Sequence, residues 1–144
     1  MNVQVRYLGG KKFEITTRTH SVLTDQPLEN EGQDTAMTPP ELFLSSFGAC
    51  AAYYAAEYLR ARALPCEELE IHVSGEKGAR PARFESVQLA VIAPGLNQRH
   101  RDGVLRAVDA CLIKNTLMIP PRIETTVISS NHAGQEMHLV HQGS

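Results

Sequence analysis

Apolar and polar residues alternate along the first stretch of the chain. Val3, Val5 and Tyr7 fall on one side, Asn2, Gln4 and Arg6 on the other. After Gly9-Gly10-Lys11-Lys12 the alternation resumes with Phe13, Ile15 and Thr17. A period of two on either side of a glycine turn predicts a β-hairpin. The strand pattern continues from His20 to Thr24 and ends at Asp25-Gln26-Pro27. Residues 28–37, LENEGQDTAM, are polar and acidic and predict a loop.

The period changes at Thr38. Thr38-Pro39-Pro40-Glu41 places Thr at a helix N-cap, Pro at the first helical position and Glu three residues after the cap. That arrangement is a capping box. The helix is expected to run to Ala63 and stop before Leu64-Pro65. About 24 residues make it roughly 36 Å long. Its first two-thirds is apolar all round and is expected to be buried. Ala, Ser and Gly are frequent there, so another backbone can approach closely. Glu57, Arg60 and Arg62 bring the last turns into water.

A second hairpin follows. Leu69, Ile71 and Val73 alternate with Glu68, Glu70 and His72, and residues 75–80 (GEKGAR) form the turn. Val87, Leu89, Val91 and Ala93 form the return strand. Phe84 is out of phase with them, which a bulge near Glu85-Ser86 explains. Residues 97–113 show helical spacing at Val104, Ala107, Val108, Cys111 and Leu112. Residues 115–117 start a short turn, cut off by Pro120-Pro121. Ile123, Thr125 and Val127 predict a late strand, and Met137 to His141 a terminal one. The order is β-β-α-β-β-α-β, with one further strand at the end. Strands arrive in hairpins, so the sheets are antiparallel and the class is α+β.

Length and charge narrow the function. A chain of 144 residues makes one domain, 1–144. Its net charge of -2 gives no basic field, so nucleic acid is not an expected partner. The longest charge-free stretch, Leu42 to Ala56, is 15 residues and too short to span a membrane. Three cysteines are an odd count for a secreted disulfide scaffold. No signal-peptide pattern opens the chain, so a cytoplasmic location with reduced thiols is expected.

The thiols are the candidate chemistry. Cys50 lies about twelve residues into the long helix, beyond the reach of the helix dipole. Its neighbours three and four positions away are Ser46, Phe47, Tyr53 and Tyr54. A thiol there either packs as a small apolar group or lines a slot with polar handles. As a thiolate it needs a cation from elsewhere. Cys111 lies on the apolar face expected of the second helix, with Val104 and Val108. It too is either core or a partner for Cys50. Cys66, after Pro65, has nothing to activate it. His132, His138 and His141 match no zinc spacing. Arg99, His100 and Arg101 cluster near a helix start, as a solvated face or an anion site. No phosphate loop, dinucleotide fingerprint or Ser-His-Asp order is present.

Residues 38–50, TPPELFLSSFGAC, resemble the first-cysteine motif of the OsmC/Ohr superfamily, the osmotically induced and organic hydroperoxide resistance proteins. Residues 110–117, ACLIKNTL, resemble its second-cysteine motif. His20 and Asp25-Gln26-Pro27 also fit, and the resemblance covers roughly residues 13–128. It implies an OsmC-like fold, an intertwined homodimer and a thiol-dependent peroxidase for organic hydroperoxides. Cys50 is then the peroxidatic thiolate and Cys111 the thiol that condenses with its sulfenic acid. No cofactor and no metal are implied. A dithiol reductant, lipoyl-type or otherwise, reopens the disulfide. The family supports the thiolate with an Arg from the N-terminal strands and a Glu ten residues before the Cys. Pro40 holds that position here, leaving Glu41 one residue nearer. Nine residues put Glu41 opposite Cys50 and about 13.5 Å away on an ideal helix. It is either a thiolate support or only the capping acid. Arg18, expected on the second strand, is the first Arg candidate and Arg6 the second. The alternative is a non-enzymatic dimer that holds a small apolar ligand at the subunit interface.

Overall fold

A computed structural model describes residues 1–130 and 136–142 of the chain. The N-terminal alternation folds into three antiparallel strands, β1 (Gln4–Gly9), β2 (Lys12–Thr17) and β3 (His20–Thr24). Gly9 and Gly10 make the first turn with φ of 107° and 58°, a backbone that glycine adopts at no steric cost. Arg18 and Thr19 make the second turn, so His20 begins a strand of its own. Arg18 itself takes φ 53°. It is therefore an exposed turn residue and not a residue of β2, as the alternation had led us to expect.

The loop after β3 is folded. A 3-10 turn spans Leu28–Asn30, and the amides of Asn30 and Gly32 bond back to the Pro27 carbonyl. Helix α1 then spans Pro39–Arg60, 22 residues. The capping box is formed in both directions: Glu41 N donates to Thr38 Oγ1 (3.4 Å), and Thr38 N donates to Glu41 Oε2 (2.7 Å). The helix ends earlier than Ala63, which turns left-handed (φ 50°) while Leu64 N bonds to the Leu59 carbonyl.

Strands β4 (Glu70–Ala79) and β5 (Ala82–Ile92) pair as a long hairpin. The pairing runs on through residues 75–79, within the stretch 75–80 expected as turn, and reverses at Arg80-Pro81. The expected bulge is present: Glu76 pairs with Ser86 and Lys77 with Phe84, which leaves Glu85 as the extra residue. Helix α2 (Gln98–Val108) and a separate α3 (Leu112–Met118) replace the single helix expected over 97–113. Strands β6 (Glu124–Ser130) and β7 (Glu136–Gln142) close the chain as another hairpin.

The core is a narrow seam. Ala51, Ala55 and Leu59 of α1 pack on Val104 and Val108 of α2, with Ile71 of β4 and Leu89 and Val91 of β5 beside them. Gly48 brings α1 close to β4, since a Cβ there would lie 3.0 Å from Val73 Cγ2. Apart from Phe47 and Ala51, the first two-thirds of α1 is not deeply buried, against expectation; Ser45, Ser46, Ala49 and Tyr53 are exposed. One chain supplies cover for only one side of the helix. The β1–β3 sheet and the β6–β7 hairpin have no substantial packing against the other described elements. Val5, Tyr7, Val22, Ile123 and Val127 stand in solvent. The accessible surface is 11317 Å², against about 7,400 Å² for a typical folded monomer of this mass.

Candidate active site

The site is built from α1 and the start of α3. On α1, Phe43, Phe47 and Cys50 form one stripe, because seven residues at 100° return Cys50 to within about 20° of Phe43. Phe47 is buried and Cys50 half-buried. Cys111 is fully buried. It does not continue α2. The chain tightens there, with Ala110 N bonded to the Ala107 carbonyl and Cys111 N to the Val108 carbonyl. Cys111 then becomes the N-cap of α3, its sulfur accepting from Lys114 N at 3.5 Å. An ion pair of Lys114 with Asp109 spans the same break.

This break brings the thiols together. Burial pushes the Cys111 thiol above its ordinary range, and the nearness of the Cys50 thiol pushes it further. The Lys114 and Ile113 amides pull the other way without offsetting it. The buried Cys111 thiol thus holds its proton more firmly than an ordinary thiol does. All three cysteines are free, and Cys66 lies half-buried at the edge of the core.

Two cavities flank α1. One, of about 540 Å³, lies against Phe43 and Phe47 of that stripe and is walled by them with Phe84, Val87, Leu117 and Met118. Phe43 and Phe84 stack with ring centroids 5.5 Å apart. Lys114 stands at its wall. The other, of about 580 Å³, is lined by Glu41, Ser45, Gly48, Ala52 and Val73 on a different face of α1.

Glu41 therefore faces away from Cys50. Its carboxylate is engaged by Thr38: the backbone amide, then the hydroxyl at 2.8 Å, hold it below the usual carboxylate range, with a smaller pull from Lys77. Arg6 pairs with Glu14 at 2.7 Å across the β1–β2 ladder. Arg18 has no carboxylate partner among the described residues. Nothing in the single chain brings either arginine to Cys50. Among the described residues no group of three His, Cys, Asp or Glu is arranged to hold a metal ion. His132 lies outside the described residues, as do the side chains of His138 and His141.

Asp25 was the residue missed. It is buried (1% exposed) and accepts from Gln26 N, Gln33 N, Thr35 N and Thr35 Oγ1 at 2.8–3.3 Å. Burial opposes ionisation, but the Thr35 hydroxyl and the three amides outweigh it, and the pKa falls to about 2. One carboxylate thereby ties the whole 26–35 loop to the end of β3. Its placement before Gln26-Pro27 was visible in the sequence, but its partners eight and ten residues on were not.

An α+β chain with antiparallel hairpins around a long helix, and a thiol pair where that helix meets α3, defines a recognisable class. The family model described as OsmC-like protein matches residues 32–126, and the chain belongs to that family. No curated protein matches. Among solved structures, the OsmC like protein from Mycoplasma pneumoniae superposes with a TM-score of 0.69 at 15% identity, over 81% of this chain and 86% of that one. An organic hydroperoxide resistance protein from Legionella pneumophila gives 0.57 at 21% identity, over 81% and 89%. The organic hydroperoxide resistance protein of Bacillus subtilis gives 0.56 at 21% identity, over 81% and 90%. The fold is thus that of the OsmC/Ohr proteins. No helix among the described residues is long and apolar enough to cross a membrane.

Proposed function

We propose that the chain is a two-cysteine peroxidase that reduces organic hydroperoxides to alcohols, working as a homodimer. The observation that carries this reading is the meeting of the Cys50 and Cys111 thiols at the α2–α3 break. The Cys50 thiolate attacks the outer oxygen of ROOH. The O–O bond breaks, the alkoxide takes a proton and leaves as ROH, and Cys50 becomes a sulfenic acid. Cys111 attacks that sulfur, water departs, and a Cys50–Cys111 disulfide forms. An external dithiol, lipoyl-type or similar, restores both thiols by exchange. The aromatic and aliphatic walls along the same stripe of α1 favour an organic R group over hydrogen peroxide.

The dimer is supported by the excess accessible surface and by a β1–β3 sheet that has no substantial packing against the other described elements. A cationic partner for the thiolate then comes from the N-terminal sheet of a second copy. Arg18 is the better choice, because Arg6 is already held by Glu14. Glu41 stays the capping acid. Purified variants test the roles with tert-butyl hydroperoxide and a dithiol reductant. Cys50→Ser abolishes turnover, and Cys111→Ser accumulates a sulfenic acid trapped by dimedone. Full activity in both variants would overturn the assignment.

A further inference from the structure

A charged cleft lies away from the thiols, between the end of α1 and α2. It has a volume of about 350 Å³ and is lined by Tyr58, Arg62, Arg99, Gly103, Arg106 and Ala107. On α2, Arg99, Gly103, Arg106 and Ala107 fall at positions i, i+4, i+7 and i+8, one face of a helix. Tyr58 lies in the last turn of α1 and Arg62 in the turn just after it. The sequence cluster Arg99-His100-Arg101 is divided by this geometry. Arg101 turns aside to the Leu96 carbonyl and the Gln98 side chain, while Arg99 lines the cleft.

The cleft is held in shape by its own residues. Gly103 is buried, and a Cβ there would lie 1.9 Å from Tyr58 Oη, so only glycine lets the ring lie on α2. Tyr58 Oη and His100 Nδ1 share a hydrogen bond of 3.2 Å. Arg62 stacks on the Tyr58 ring, Cζ 3.8 Å from its centroid, and its Nη1 donates to the Tyr58 carbonyl at 3.2 Å. That side chain is placed before any ligand arrives, which reduces the entropy lost on binding.

The charge in the cleft is uncompensated. Arg6, Arg60, Arg83 and Arg122 each face a carboxylate at 2.6–3.2 Å. Arg62, Arg99 and Arg106 have no such partner among the described residues, and no acidic residue lines the cleft. Three guanidinium groups around one cavity repel each other unless an anion sits between them. Their planar forks match the oxygens of a phosphoryl group, and a dianion or trianion answers three charges better than one carboxylate does. The volume leaves room for an organic portion against the Tyr58 ring and Ala107.

We propose that this cleft is a binding site for a phosphorylated small molecule, held by Arg62, Arg99 and Arg106. It contains neither Cys50 nor Cys111, so it stands or falls independently of the peroxidase reading. Calorimetric titration of the reduced full chain with pyrophosphate, inorganic phosphate and malonate at matched ionic strength tests it. Pyrophosphate is expected to bind tightest, and malonate at least about tenfold more weakly. The double variant Arg99→Gln/Arg106→Gln changes two exposed side chains, and its unliganded melting curve checks that it folds. It should weaken pyrophosphate by roughly 10- to 100-fold, while Arg83→Gln, outside the cleft, leaves it unchanged. Arg62→Lys keeps the charge but loses the fork, and should fall between. Equal binding of malonate, or pyrophosphate binding indifferent to the double variant, would overturn the proposal. So would failure of pyrophosphate to bind with loss of self-association in the double variant, which would mean that a second copy's carboxylate fills the cleft.

Discussion

The α1–α2 seam and the N-terminal sheet are built from similar apolar residues, yet one is finished within the chain and the other is not. Leu59, Ala51 and Ala55 are fully buried against Val104 and Val108. Val5, Tyr7 and Val22 of β1 and β3 are more than a third exposed, on a sheet whose three strands are paired with one another. Backbone pairing alone forms a sheet, but burial of side chains is what stabilises one. The seam is therefore where a single chain holds its stability, and the sheet is where a second chain would add to it.

The largest expected effect separates the two regions. Leu59→Ala opens a cavity in the seam and should cost about 2–5 kcal/mol in chemical denaturation. The same measurement on Val22→Ala should show a smaller loss, and one that depends on protein concentration if a second copy covers the sheet. Equal, concentration-independent losses at both sites would erase the distinction.

Next in size is association itself. Val5→Asp combined with Val22→Asp places charge on the open sheet without touching the seam. Sedimentation should show the wild type as a dimer and the variant shifted toward monomer, with the far-ultraviolet circular dichroism of α1 retained. A wild type that stays monomeric at high concentration would sink the dimer.

The same contrast explains what the sequence made legible. Elements with strong local signals were readable: the capping box at Thr38 and Glu41, the glycine turn at Gly9-Gly10, the bulge forced by Phe84. The positions of Cys50 and Cys111 on two apolar helix faces left core packing and a thiol pair both open, and the resemblance of residues 38–50 and 110–117 to a known family favoured the pair. Helical spacing from Val104 to Leu112 masked the break at Asp109-Ala110, because apolar residues keep the helical period across it. Yet that break is what turns Cys111 toward Cys50. The burial expected of α1 failed for a physical reason: an apolar stretch shows that cover is needed, not which chain provides it. Asp25 was hidden because its partners in the loop are set by tertiary closure.

The smallest expected effect concerns that loop. Asp25 has a pKa near 2 in the fold against 3.8 as its ordinary value, so the carboxylate is the form the fold prefers. It contributes stability that is fully present above about pH 4 and is lost as pH falls toward 2. Asp25→Asn should lower the melting temperature at neutral pH and flatten its decline across that window. A variant whose acid profile parallels the wild type would place the acid sensitivity elsewhere.

The most direct measurement is a thiol count after one equivalent of cumene hydroperoxide is added to the reduced protein, followed by disulfide mapping by mass spectrometry. Rapid loss of two thiols, recovered as a Cys50–Cys111 link with Cys66 still free, is the expected result. Survival of all three thiols in excess peroxide would contradict it.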